Sequence, residues 1–62
     1  MKIGEHYEHL KSGDIYTIVA LGLMTENNGW IESVTYQSHK NGGFFTQKHI
    51  DFVNKFHKMD IK

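Results

Sequence analysis

The chain contains no cysteine, no proline and no arginine, and each absence removes a class of explanation. Without cysteine there are no disulfides and no thiolate metal sites to supplement the core, a composition that suits a reducing compartment. Without arginine the chain lacks the planar fork most used on guanine edges and phosphates, which weighs against sequence-specific reading of DNA. Without proline, turns have to be read from glycine and asparagine. Long apolar runs are missing too. The longest, Ile15 to Met24, includes Tyr16, Thr17 and Gly22 and falls well short of the roughly 20 residues a membrane-spanning helix needs. Met1 to His6 carries neither the apolar stretch nor the small-residue cleavage site of a secretory leader, so a cytoplasmic location is the default expectation. Charge of one sign is also lacking: seven lysines balance seven acidic residues, and only the five histidines can shift the balance near neutral pH. No global field draws a polyanion.

What is present is a 62-residue chain, read as one domain over 1–62, with aromatics at 13% of the composition. A chain this short buries only about 60% of its unfolded surface, so its stability margin is small. Large rings are the economical way to build such a core, since each buries much area for few ordered residues. Dimerisation would be a second source of buried surface.

The glycines mark the turns. Lys11-Ser12-Gly13-Asp14 is a tight-turn signal between Tyr7–Leu10 and the β-rich run Ile15–Leu21, which predicts a hairpin. In that run Ile15, Thr17, Val19 and Leu21 alternate with Tyr16, Ile18 and Ala20, so both faces are largely apolar and the strand is central or bent; Gly22 could mark a bulge. The polar segment Thr25–Gly29 ends in Asn-Gly, a pair suited to positive φ. It leads to a third strand, Trp30–Gln37, in which Trp30, Glu32, Val34 and Tyr36 oppose Ile31, Ser33, Thr35 and Gln37, with either face able to be the buried one. A loop at Ser38–Gly43 leads to a short fourth strand at Phe44-Phe45. Thr46 then stands where a helix N-cap would, and a short helical turn is expected. Phe52–Phe56 reads equally as a continuing helix with Ile50, Val53 and Phe56 on one stripe, or as a last strand. The fold class expected is mainly β: an antiparallel barrel of about five strands with one short helical turn near the C-terminus.

The order of Tyr7-x-His9, Gly13-x-x-Tyr16-x-Ile18, Glu26, Val34-x-Tyr36 and an aromatic strand entering a short turn resembles the family known as domain of unknown function 1653, short bacterial and phage proteins. The resemblance runs from about Tyr7 to Phe56. Where that family has Trp-Val-Arg-Pro this chain has Phe44-Phe45-Thr46-Gln47, with Ile50-Asp51-Phe52 in place of the apolar residues that follow. If the family's arginine serves a binding surface, Gln47 can replace only a neutral hydrogen bond. The resemblance implies an SH3-like barrel and no known activity.

For chemistry, His6, Glu8 and His9 are the nearest approach to a metal set. Strand alternation puts His6 and Glu8 on one face and His9 on the other, so no metal or other cofactor is expected. Ser12, Ser33 and Ser38 lack a nucleophile elbow, and Gly42-Gly43 lacks the phosphate-loop pattern. Catalysis is therefore the class with least support. Lys48, His49, Lys55, His57 and Lys58, interleaved with Phe44, Phe45, Phe52 and Phe56, could carry a single-stranded nucleic acid, but a phenylalanine core with solvated lysines explains the same pattern. The leading expectation is a protein-binding module, possessing no enzymatic activity and acting on a larger protein as a phage-encoded or accessory adaptor or inhibitor, either as a monomer or as a homodimer. Its anchors are expected among Tyr7, Tyr16, Trp30 and Tyr36, with Gln47 and Lys48 beside them. At least two of the rings, Trp30 and one tyrosine, are expected to serve the core.

Overall fold

The computed structural model describes residues 1–60. Five strands, β1 (His6–His9), β2 (Ile15–Glu26), β3 (Gly29–Ser38), β4 (Phe44–Lys48) and β5 (Phe56–Met59), and one helix, α1 (His49–Lys55), follow in the order β1-β2-β3-β4-α1-β5. The strands form a single antiparallel sheet with spatial order β4-β3-β2-β1-β5. The mainly-β expectation holds. β4 and β5 lie at opposite edges of the sheet, so backbone pairing does not close it into a barrel.

The sheet is nevertheless strongly curled. Three inter-strand spacings separate β3 from β5, about 14 Å in a flat sheet, yet the rings of Tyr36 and Phe56 are 5.2 Å apart. The cause lies in β2, where the register against β3 slips between Ile18 and Ala20. The bulge therefore sits at Val19 rather than at Gly22. An extra residue reverses the alternation, so Ile18, opposite Tyr36, and Leu21, opposite Val34, share the inner face despite their odd spacing. The simple alternation that puts Leu21 with Val19 and Thr17 is corrected by that slip.

The inner face carries the core: Tyr7, Ile18, Val34, Tyr36, Phe52 and Phe56, with Tyr16 packed against it. Phe52 stacks on Phe56 at 4.2 Å and meets Tyr7 at 5.1 Å and Tyr36 at 5.0 Å. Both alternatives for 52–56 are realised in part, since α1 continues through Lys55 and β5 begins at Phe56. Of the predicted stripe Ile50, Val53 and Phe56, Phe56 is buried, but it lies in β5 rather than in the helix. Phe52 points inward, while Ile50 and Val53 are exposed. Thr46 is not the N-cap either: Lys48 occupies that position without a side-chain cap, and Thr46 sits in β4, its hydroxyl 2.8 Å from that of Thr35. A seven-residue helix is too short to persist on propensity; the burial of Phe52 holds it in place.

The turns follow local chemistry. Gly13 and Gly42 take positive φ, which glycine adopts without the steric cost that a Cβ brings. At the tip of the β2–β3 hairpin the positive-φ pair is Asn27-Asn28, and Gly29 already pairs with Glu26 in the ladder. The two-residue turn is thus one position earlier than the Asn-Gly signal suggests, and it has the sign pattern of a type I′ turn.

An ion pair joins the N-terminal segment to β5, with Lys58 Nζ 2.9 Å from Glu5 Oε2. The Lys58 ammonium, helped by the Lys2 backbone N–H, lowers the Glu5 carboxyl below its ordinary value and raises Lys58 in return. A carboxyl depressed in the fold contributes stability above its unfolded pKa and loses it as pH falls through the folded one. Burial raises the Tyr7 and Tyr36 hydroxyls, which has no effect at neutral pH and costs stability once unfolded tyrosines ionise, above about pH 10. Urea melts across pH are expected to show a plateau that falls on the acid side below about pH 4.5 and again above about pH 10. Glu5→Gln is expected to flatten the acid limb and to shift the alkaline one as well, since Glu5 helps to raise both Lys58 and Tyr7.

Candidate functional site

The residues named as anchors separate once folded. Tyr7 and Tyr36 are core residues, each only 8% exposed. Tyr16 is half-buried and meets Tyr36 and Phe56 edge-on, both at 5.3 Å. Gln47 donates from Nε2 to the Tyr36 hydroxyl at 3.0 Å, fixing that ring rather than facing outward. Lys48 Nζ lies 2.6 Å from Glu26 Oε1, and that contact raises its pKa. Trp30, expected inside, is 72% exposed. The reversal has a plain cause. β4 pairs with β3 only from Ser33 to Gln37, so Trp30, near the hairpin tip opposite Thr25, lies beyond the part of the sheet that curls over the core.

Past that point β2 and β3 continue alone as a two-stranded arm, which accounts for the elongated outline of 39 × 21 × 19 Å. Directly opposed residues share a face in an antiparallel ladder. The pairs Leu21–Val34, Leu23–Glu32 and Thr25–Trp30 thus place Leu21, Leu23 and Trp30 together on the continuation of the core face. There Leu21 is 42% and Leu23 62% exposed. Glu32 stands among them, and Met1 and His49 border the shallow open depression beside Leu21 and Leu23. The Glu26–Lys48 pair sits on the opposite face, leaving Glu32 as the carboxylate within the apolar strip.

Sequence reasoning missed Leu21 and Leu23 because it ended β2 at Leu21 and because the bulge hides their shared face. The signal available was the charge-free stretch Ala20–Thr25 running up to a polar turn.

The other candidates take structural positions. Glu8 and His57 pair at 2.7 Å on the outer face, where His6 meets His39 edge-on at 5.2 Å. His9 lies on the inner face against Phe56, and its Nδ1 accepts the backbone N–H groups of Lys11 and Ser12. Among the described residues no three His, Cys, Asp or Glu side chains converge on a point that could hold a metal. No helix among them is long and apolar enough to cross a membrane. Lys48 and Lys58, two of the cations a nucleic-acid reading would use, are paired with Glu26 and Glu5. Phe44 and Phe45 of that reading are exposed, at 65% and 45%.

No protein-family model, curated protein or solved structure matches the chain.

Proposed function

We propose that the protein is a non-catalytic binding module that docks on a larger protein through the core-side face of its β2–β3 arm, as an adaptor or inhibitor of the accessory or phage-encoded kind. The observation that carries this reading is Trp30, 72% exposed beside Leu21 and Leu23 on one face of a projecting ribbon. An isolated surface leucine is ordinary, whereas contiguous large apolar side chains mark interaction surfaces. Tryptophan is also the residue type most enriched among residues that dominate binding energy. Glu32 within the strip favours a partner that brings a lysine or arginine alongside its own apolar residues.

The same reading takes the curled sheet as an SH3-like barrel, in keeping with the resemblance to domain of unknown function 1653. Its support is the approach of Phe56 in β5 to Tyr36 in β3 and the short helix that links β4 to β5. The arm then projects from the barrel wall as its recognition element.

Co-purification of the tagged chain from its native cells, with and without nuclease, tests the reading. A discrete protein that survives nuclease is the expected result. Material that disappears with nuclease would overturn it in favour of a single-strand-binding surface around Phe44 and Phe45. Because Lys48 and Lys58 are already paired, gel shifts with single-stranded oligonucleotides are expected to show no binding whose affinity falls steeply with salt.

A further inference from the structure

The outer edge of β2 is open where it is most exposed. β1 pairs with β2 only from Ile15 to Thr17, and Ile18 is held by the backbone of Gly4 and Glu5. Among the described residues, no backbone hydrogen bond leaves that edge from Val19 to Glu26. On the far side the backbone pairing with β4 stops at Ser33, beyond which β4 reaches the arm through the Lys48 ammonium on Glu26. The arm is therefore a two-stranded ribbon, an arrangement marginal in water without a third strand or a packed face.

Exposed edges are normally blunted with lysine, proline or inward-pointing charge. This one is not: Val19-Ala20-Leu21-Gly22-Leu23-Met24-Thr25 carries no charge and no proline, and the strand's one ionised side chain, Glu26, is paired with Lys48. The edges at the two ends of the sheet are defended differently, by Lys48 in β4 and by His57 and Lys58 in β5.

We infer that the Ala20–Glu26 edge of β2 pairs antiparallel with the same segment of a second copy, centred on Leu23, to give a closed dimer. Two identical strands can pair antiparallel about a two-fold axis, so the contact is self-complementary and leaves no further copy to recruit. Centring on Leu23 sets Leu21 against Thr25 of the second copy, Gly22 against Met24 and Ala20 against Glu26. No like charges meet, and the zero formal net charge adds no long-range repulsion. The product is a four-stranded ribbon, β3-β2-β2-β3, in which each arm gains the neighbour it lacks. Seven paired residues span about 23 Å, a contact at the small end of specific interfaces, so association in the micromolar range is expected. The apolar face is left open by edge pairing; the dimer sets two such strips side by side, and neither proposal depends on the other.

Sedimentation equilibrium of the full chain, from low micromolar to near-millimolar concentration, provides the test. The mass is expected to rise from 7.2 kDa to twice that value and no further. Leu23→Lys sets like charges against each other at the axis, and Leu23→Glu does the same with the opposite sign. Each is expected to stay monomeric while keeping the circular dichroism of the parent, since Leu23 is 62% exposed; an equimolar mixture of the two is expected to regain the dimer. Trp30→Ala is expected to dimerise as the parent does. Amide exchange at Ala20–Glu26 is expected to slow as concentration rises. A parent chain that stays at 7.2 kDa, a Leu23→Lys chain that still dimerises, growth beyond a dimer, or a doubling of mass without added protection in this segment would each overturn the inference.

Discussion

Phe52→Ala is expected to leave the chain largely unfolded at room temperature. Phe52 is fully buried and its ring touches Phe56, Tyr7 and Tyr36, which belong to β5, β1 and β3. It is also the only buried residue of α1. Removing a buried phenylalanine costs about 3–5 kcal/mol through lost transfer energy and the cavity left behind. At roughly 0.05–0.15 kcal/mol per residue the whole domain has only about 3–9 kcal/mol to lose. Helix and strand signals should therefore vanish together in circular dichroism, and the cooperative urea transition with them. Val53→Ala, one position along and exposed, should stay within about 0.5 kcal/mol of the parent. A Phe52→Ala chain that melts cooperatively near the parent midpoint would show that the helix is not what closes the core.

The second large effect is the opposite kind, a loss of binding without a loss of fold. Trp30→Ala is expected to weaken the protein partner by about 30-fold or more, the ~2 kcal/mol of a dominant interface residue, while stability moves by no more than about 0.5 kcal/mol because the side chain has little to lose on folding. Tyr36→Ala should do the reverse. Its ring is buried and its hydroxyl receives Gln47, so binding would fall only in proportion to the folded fraction. Titration of the captured partner against each variant, with a urea melt alongside, separates the two. Undiminished affinity for Trp30→Ala would remove the arm from the interface.

Much of the sheet could be read from local signals. The Gly13 turn, the apolar run after it and the polar segment at 25–29 place the starts of β1, β2 and β3 to within one residue, although β2 runs five residues past Leu21 to Glu26; turn chemistry and strand propensity act over short stretches. The candidate site was hardly readable, and particular residues show why. Tyr7, Tyr16, Trp30 and Tyr36 have the same appearance in sequence: a large ring with a polar tip in a β-rich stretch. What distinguishes Tyr36 from Trp30 is that β4 lies beside one and stops before the other, a fact about pairing between distant segments. Leu21 and Leu23 were concealed by a one-residue slip at Val19, which no composition signal announces.

By itself the sequence determined the class of the chain: mainly β, without disulfide support, punctuated by glycine and asparagine turns. Tertiary structure alone decided which rings are core, where the alternation reverses, and that β2 and β3 outrun their neighbours to leave an apolar arm in water. The division has a physical reason. Turns and strand preference depend on each residue's own backbone and its immediate neighbours, whereas burial depends on how far each distant strand extends alongside another, and a single inserted residue is enough to exchange inside for outside.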